Sequence, residues 1–257
     1  MASQPQTRAA WRVLQGVLGI VLFVGLWWLL TVPFSTPGSM GMRFAPGPSL
    51  TTLIGLLQGG EIWIHIAVSL QRVAIGLGLA LLVGVPLGLL LGASASANAT
   101  LSPAFQFLRM VSPLSWMPIA VMVFGVGDRP VYFLLAFAAL WPIMLNTLAG
   151  VRALDQRWLQ LSQSLSATGW ETLKGVIVPG ILGHVLTGTR LAIGIVWIVL
   201  VPCEMLGVSA GLGYFILDTR DRLAYHELMA TVVLIGLLGF LLDTAFRKLY
   251  EAWSKSR

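Results

Sequence analysis

Arg190, Gly194, Trp197, Val201 and Glu204 stand at steps of four, three, four and three, so one helical face carries a cation at one end and a carboxylate at the other. The residues between them are otherwise apolar. An ionisable group at membrane depth usually faces a protein interior or a water-filled path, so the chemistry offered is ion handling rather than bond making. A second reading stays open, in which Glu204 snorkels to the outer interface or pairs with an outer arginine. Pro202 removes a backbone hydrogen bond beside Glu204, and an unwound turn there is tolerated only next to protein or a cavity.

Nothing else in the chain competes as catalytic machinery. No G-x-x-x-x-G-K-[ST] loop is present to cradle nucleotide phosphates, and His226-Glu227 lacks the second histidine of H-E-x-x-H because position 230 is alanine. His65, His184 and His226 fall on different segments, so a metal site and a cofactor are not expected. Cys203 is the sole cysteine, which excludes an internal disulfide and leaves it as a small apolar helix residue.

The elements that position these residues are set by the solvent. Hydrophobic residues make up 57% of the chain and charged residues 10%, with a mean hydropathy of +0.86, which describes a chain that lives in a bilayer. A spanning helix needs about 20 mostly apolar residues. Charge-free runs at 13–42, 73–108, 110–127 and 130–151, with two less clean stretches, predict six crossings near 13–32, 70–92, 108–127, 130–150, 185–207 and 228–247. The first is too long for a secretory h-region and lacks a following small-x-small site, so it reads as an uncleaved anchor. With the N-terminus inside, the inner segments hold eleven of the sixteen Lys and Arg, and Arg43, Arg72, Arg129, Arg220 and Arg222 fall outside. Both termini are then expected in the cytoplasm, as a tail over 1–12 and a basic tail over 248–257 flanking one membrane domain over 13–247. The net charge of +6 is a topology signal and does not indicate nucleic-acid binding.

Two features predict packing and docking. Gly76, Ala80, Gly84, Gly88 and Gly92 place a small residue at every fourth position of the second span, which lets another helix approach closely. The polar interval 152–179 reads as two short amphipathic helices rather than a loop. Asp155 starts the first, and Trp158, Leu161 and Leu165 share its face; Thr168 and Glu171 have capping-box spacing at the start of the second, followed by Trp170, Leu173, Val176 and Ile177 on one face. Pro179-Gly180 is expected to end the segment, which is read as a docking surface. Residues 125–130 predict a tight turn, with Pro130 at a first helical position.

Trp141 to Thr147 with Asn146, the interval ending at Pro179, Thr187 to Arg190, Trp197 to Leu206, and Gly211-Leu212-Gly213-Tyr214 together resemble the inner-membrane permease subunit of bacterial ABC importers for nitrate, sulfonate, taurine and bicarbonate. The likeness runs from about residue 45 to 243. It implies an all-α type I importer fold in the bacterial inner membrane, with a second permease copy, a cytoplasmic ABC ATPase dimer and a periplasmic solute-binding protein as partners. ATP hydrolysis would lie in the separate ATPase, so this chain would not be an enzyme. The path would be lined by Asn146, Arg190, Gly194, Trp197, Val201 and Glu204, with Arg190 meeting an anionic solute and Glu204 gating. The interval 155–178 would couple to the ATPase through Trp158, Gln160, Ser162, Leu165, Ser166, Trp170 and Glu171. The family carries Glu-Ala-Ala-x-x-x-Gly there, and this chain departs from it, with Gln160, Leu161 and Ser162 at the first three places and Ser166 at the glycine. A secondary transporter or channel working without an ATPase is the alternative; it predicts internal repeats and intramembrane ion ligands, of which only Glu204 and Asp243 are candidates.

Overall fold

Lipid offers no hydrogen-bond partner to a bare backbone, so apolar runs of this length must satisfy their peptide groups internally as helices. A computed structural model of the chain describes residues 4–33, 35–36 and 39–255, and among them every regular element is helical. Residues 1–3 and 256–257 of the two expected tails, Arg257 included, lie outside the described residues. In chain order the helices are α1 (Gln4–Thr31), α2 (Met40–Arg43), α3 (Pro46–Gly59), α4 (Ile62–Ala93), α5 (Ala95–Met110), α6 (Met117–Phe124), α7 (Asp128–Arg152), α8 (Gln156–Ser164), α9 (Gly169–Thr172), α10 (Val178–Glu204), α11 (Leu212–Asp221) and α12 (Tyr225–Lys255). Five of the described helical stretches are long and apolar enough to cross a membrane, and a sixth crossing results if α5 and the stretch Pro113–Phe124 count as one broken span.

The chain divides into two compact units, residues 1–62 with 216–234 and residues 63–215 with 235–257. In the first, α1 leaves its apolar side chains open, which suits a helix solvated by lipid. Pro46 opens α3, where a missing N–H costs nothing, and Gly60 closes it at φ +86°. The indole N–H of Trp27 donates to the Phe44 carbonyl at 2.9 Å, Phe44 meets Tyr225 edge-on at 5.7 Å, and the Arg43 guanidinium lies 5.8 Å from the Tyr225 ring centre.

The second unit is built on α7. The small residues of α4 face it closely: a Cβ placed on Gly76 would come within 2.7 Å of Leu135, one on Gly88 within 2.6 Å of the Met144 carbonyl, and one on Gly92 within 2.5 Å of Val151. On α10, Gly188 has the same relation to α7, since its Cβ would come within 2.9 Å of Asn146 and of the Pro142 carbonyl. Leu134, Leu135, Ile143, Val196, Leu200 and Cys203 fill the resulting core.

Several boundaries differ from the sequence expectation: α7 begins at Asp128, so Pro130 is its third residue and not its first, and three further differences bear on the sites. The third span is not straight over 108–127: α5 ends at Met110, Val111 and Ser112 are extended, and the chain bends by 89° before Pro113–Phe124. Pro113 disfavours the helical conformation at the residue before it, so an unbroken apolar run is cut there. Pro179 does not end the amphipathic segment. Helix runs from Gly169 through a wide turn at Leu173–Ile177 into α10 and on to Glu204, a stretch of 36 residues. In that wide turn the Val178 N–H reaches back five residues to the Leu173 carbonyl, which carries the helix past the N–H that Pro179 lacks. Finally, α4 begins at Ile62 rather than near 70, so Arg72 sits inside a helix and is 2% exposed instead of lying in an outer segment.

Candidate coupling surface and buried polar cluster

The α8–α9 region is assembled from local rules. Asp155 caps α8, its carboxylate accepting the Arg157 N–H at 2.9 Å. At the other end the Ala167 N–H reaches the Ser162 carbonyl and the Ser166 N–H the Gln163 carbonyl, a Schellman closure that requires a left-handed residue at its hinge. Ser166 supplies it at φ +54°. The glycine of the family pattern is therefore a backbone requirement that this chain meets with a strained serine. Ser162, 7% exposed, stands where that pattern has a small alanine, and its hydroxyl lies 2.7 Å from that of Thr172, joining α8 to α9.

A capping box then opens α9. Glu171 accepts the Thr168 N–H at 2.7 Å and returns its own N–H to Thr168 Oγ1 at 3.3 Å. The backbone hydrogen bond from Thr168, followed by the one from its hydroxyl, lowers the Glu171 carboxyl below its ordinary value. Held between these caps, Trp158, Leu161, Leu165 and Trp170 are 60%, 50%, 73% and 71% exposed. Exposed aromatic and aliphatic groups on a rigid frame mark an interaction surface. Gln160, Ser166 and Glu171 are exposed beside them.

At the far end of α10 the acid of the five-residue stripe has no exposed surface. Glu204 accepts hydrogen bonds from Ser69 Oγ at 2.8 Å, Arg72 Nη1 at 2.7 Å and the Gly213 N–H at 2.9 Å. Arg72 also donates through Nε to Asp128 at 3.0 Å and through Nη1 to the Ala210 carbonyl at 2.7 Å. The first N–H groups of α11 would otherwise be orphans, and this cluster takes them: Gly213 donates to Glu204, and Leu212 to Ser69 Oγ at 2.9 Å. Gly211, at φ +124°, donates to His65 Nδ1 at 3.1 Å, and a Cβ there would come within 2.6 Å of the Glu204 carboxylate. Glycine at 211 is thus required twice, by its φ and by the cluster it abuts. Glu204 therefore faces the protein interior, as the first reading had it, and also pairs with an arginine, as the second had it.

Elsewhere on the stripe, among the described residues, only Arg190 and Trp197 have hydrogen-bond partners on α12. Arg190 forms a two-pronged pair with Asp243 of α12 at 3.1 and 3.4 Å, with both side chains about half exposed. The Trp197 N–H donates to the Ile235 carbonyl at 3.1 Å, and Gly239 makes room for its ring. Val201 is half-buried, and Gly194 is open, with no neighbour near the position a Cβ would take. Asn146 turns its amide to the Pro142 carbonyl at 2.8 Å and is half-buried. Sequence reasoning missed the roles of His65, Ser69, Arg72 and Asp128. The first three stand at steps of four and three and would have marked one helix face, had α4 been started at residue 62.

A family model described as "binding-protein-dependent transport system inner membrane component" matches residues 84–256. The bicarbonate transport system permease protein CmpB of Synechococcus elongatus is 34% identical over 94% of this chain and 91% of its own length. The taurine transport system permease protein TauC of Escherichia coli is 32% identical over 91% of this chain and 86% of its own. The nitrate import permease protein NrtB of Leptolyngbya laminosa is 35% identical over 72% of this chain and 66% of its own. Among solved structures, an inward-facing form of the MetNI methionine ABC transporter superposes with a TM-score of 0.61 at 16% identity, covering 75% of this chain and 97% of that one, a likeness of fold alone. The length matched and the identity to full-length permeases lead to one conclusion: the chain belongs to the inner-membrane permease family of binding-protein-dependent ABC importers.

Proposed function

We propose that this chain is the permease subunit of an ATP-driven importer for a small oxyanion of the bicarbonate, nitrate or sulfonate type. In this reading two copies line the path, two separate ATPases bind beneath them and hydrolyse the ATP, and a periplasmic binding protein delivers the solute. Both termini and the α8–α9 surface lie in the cytoplasm, which the distribution of Lys and Arg supports. The observation that carries the proposal is the rigid, capped α8–α9 surface with Trp158 and Trp170 turned outward. Because α9 is continuous with α10, a push on Trp170 is transmitted directly into a spanning helix. ATP-driven closure of the ATPases would draw the two surfaces together and open the path outward, and hydrolysis would reset it. Of the residues expected along the path, Asn146, Arg190, Gly194 and Val201 keep surface that a solute could meet, whereas Glu204 acts by holding α4, α10 and α11 together.

The test is a pull-down of tagged chain from native membranes in mild detergent, followed by mass spectrometry and an ATPase assay. The expected result is an ABC ATPase at one copy per permease, lost in Trp170→Glu. A chain that purifies alone, or a Trp170→Glu variant with undiminished ATPase stimulation, refutes the docking surface.

A further inference from the structure

A cavity of about 250 Å³ in the second unit lies apart from the coupling surface and the Glu204 cluster. It is smaller than the roughly 300–1,000 Å³ typical of sites for drug-sized ligands, so it suits a small solute. Asn98, Ser102, Gln106 and Arg109 of α5 line one side of it, and Trp141 and Leu145 of α7 line the other. The four α5 residues stand at steps of four, four and three, so they form a polar stripe along one helix face about 16 Å long.

The stripe carries amide and guanidinium donors beside amide and hydroxyl acceptors. Ser102 donates to Asn98 Oδ1 at 2.9 Å, which leaves the Asn98 amide N–H groups turned to other uses. Arg109 is exposed and in no ion pair among the described residues, and the cavity lining contains no carboxylate. Trp141 is 6% exposed, yet its buried Nε1 has no hydrogen-bond partner. An unpaired buried N–H is unfavourable, and because this one has almost no open surface an acceptor relieves it only when the ring turns toward the cavity on binding. A fork of guanidinium donors, two side-chain amides and an indole N–H, with no acid to repel it, select an anion with its charge spread over several oxygens.

We propose that this cavity is an oxyanion site on the solute's route, in which Arg109 makes the charge-assisted contacts and Asn98, Gln106 and Trp141 supply neutral donors. The proposal rests on the importer reading above and places the solute on α5, a helix that the stripe on α10 does not include. The apolar remainder of the lining accommodates the alkyl group of a sulfonate. A lipid phosphate has the same chemistry, and the experiment separates the two.

The whole importer, with its ATPase and binding protein, is reconstituted in proteoliposomes, and uptake of labelled bicarbonate, nitrate and taurine is measured beside ATP hydrolysis. Arg109→Gln is expected to lower the maximal uptake rate of the accepted anion about tenfold, and Trp141→Phe, which keeps the ring and removes the N–H, about threefold. Binding-protein-stimulated ATP hydrolysis stays within about twofold of wild type in both, which separates a solute contact from a folding defect. Arg109→Lys keeps the charge at the end of α5 without the fork and recovers part of the uptake. Thr100→Ala, on another face of α5, transports as wild type. Uptake unchanged in Arg109→Gln and Trp141→Phe overturns the site while leaving the importer reading intact. A bound phospholipid found by native mass spectrometry, lost in Arg109→Gln with uptake unaltered, assigns the cavity to lipid and likewise overturns it. A wild-type complex that hydrolyses ATP but imports none of the three anions overturns the oxyanion site together with the solute class proposed above.

Discussion

Removing Arg72 should destabilise this protein more than neutralising Glu204, and the asymmetry follows from their partners. Arg72 is 2% exposed and divides its donors among Glu204, Asp128 and the Ala210 carbonyl. Glu204 is 0% exposed, and Arg72 is its cation. Two unit charges about 4 Å apart at an effective dielectric of about 20 attract by about 4 kcal/mol, and removing one partner of a buried pair costs about 3–5 kcal/mol. Arg72→Met leaves a buried carboxylate with only the Ser69 hydroxyl and the Gly213 N–H, so it belongs at the upper end of that range. Glu204→Gln keeps the side-chain shape and leaves Arg72 its half-exposed partner Asp128, so it should cost about 1.5–3 kcal/mol, the worth of hydrogen bonds to a charged group. The double change Arg72→Met with Glu204→Leu replaces both charges by apolar groups and should recover part of the loss, the remainder being the Ser69 hydroxyl, the Gly213 N–H and the Ala210 carbonyl left without these partners. Unfolding in mixed detergent micelles, followed by tryptophan fluorescence and by gel filtration after heating, measures all three. Equal losses in the single and double variants would refute the reasoning, because the cost would then come from packing and not from an unpaired charge.

Ser166→Gly should stabilise the α8–α9 frame by about 1 kcal/mol, since glycine adopts the left-handed conformation without the serine's cost, and this is read as slower proteolysis of the 155–178 segment. Gly88→Val should destabilise the α4–α7 seam by about 1–3 kcal/mol, because its Cβ would meet the Met144 carbonyl and Thr147 with no room to yield; thermal unfolding in detergent checks it. The capping box should show a pH dependence of definite sign. Glu171 has its carboxyl lowered from the ordinary 4.5, so the stabilisation is complete above that value and is lost as pH falls through the lower folded value. Amide exchange at the start of α9, corrected for intrinsic rates, should rise in that acid window and lose its pH dependence in Glu171→Gln, which removes the titrating group while the residue 168 N–H keeps an acceptor.

What was legible in the sequence was local. Thr168 and Glu171 lie three apart, and a cap is decided within one turn, so the motif and its geometry coincide. The small residues at every fourth position of α4 announced close packing, because helical periodicity alone puts them on one face. The identity of the helix they meet was not legible, and neither was the 89° bend before Pro113, which a hydropathy profile averages away. Pro179 misled for a similar reason. A proline forbids one backbone hydrogen bond, but whether the helix stops or widens by one residue to pass it depends on what packs around the turn.

By itself, then, the sequence determined the solvent, the helical class, the caps and the family pattern, all of which depend on composition or on residues within a turn or two of each other. Tertiary structure alone decided what the buried ionisable residues do. Glu204 and Arg72 are 132 positions apart, and the Gly211 N–H meets His65 across 146. A carboxylate in an apolar run has the same sequence whether it lines a water-filled path or closes a buried cluster. The difference lies in which donors the fold brings to it, because burying a charge is tolerated only where a cation and hydrogen bonds replace its water.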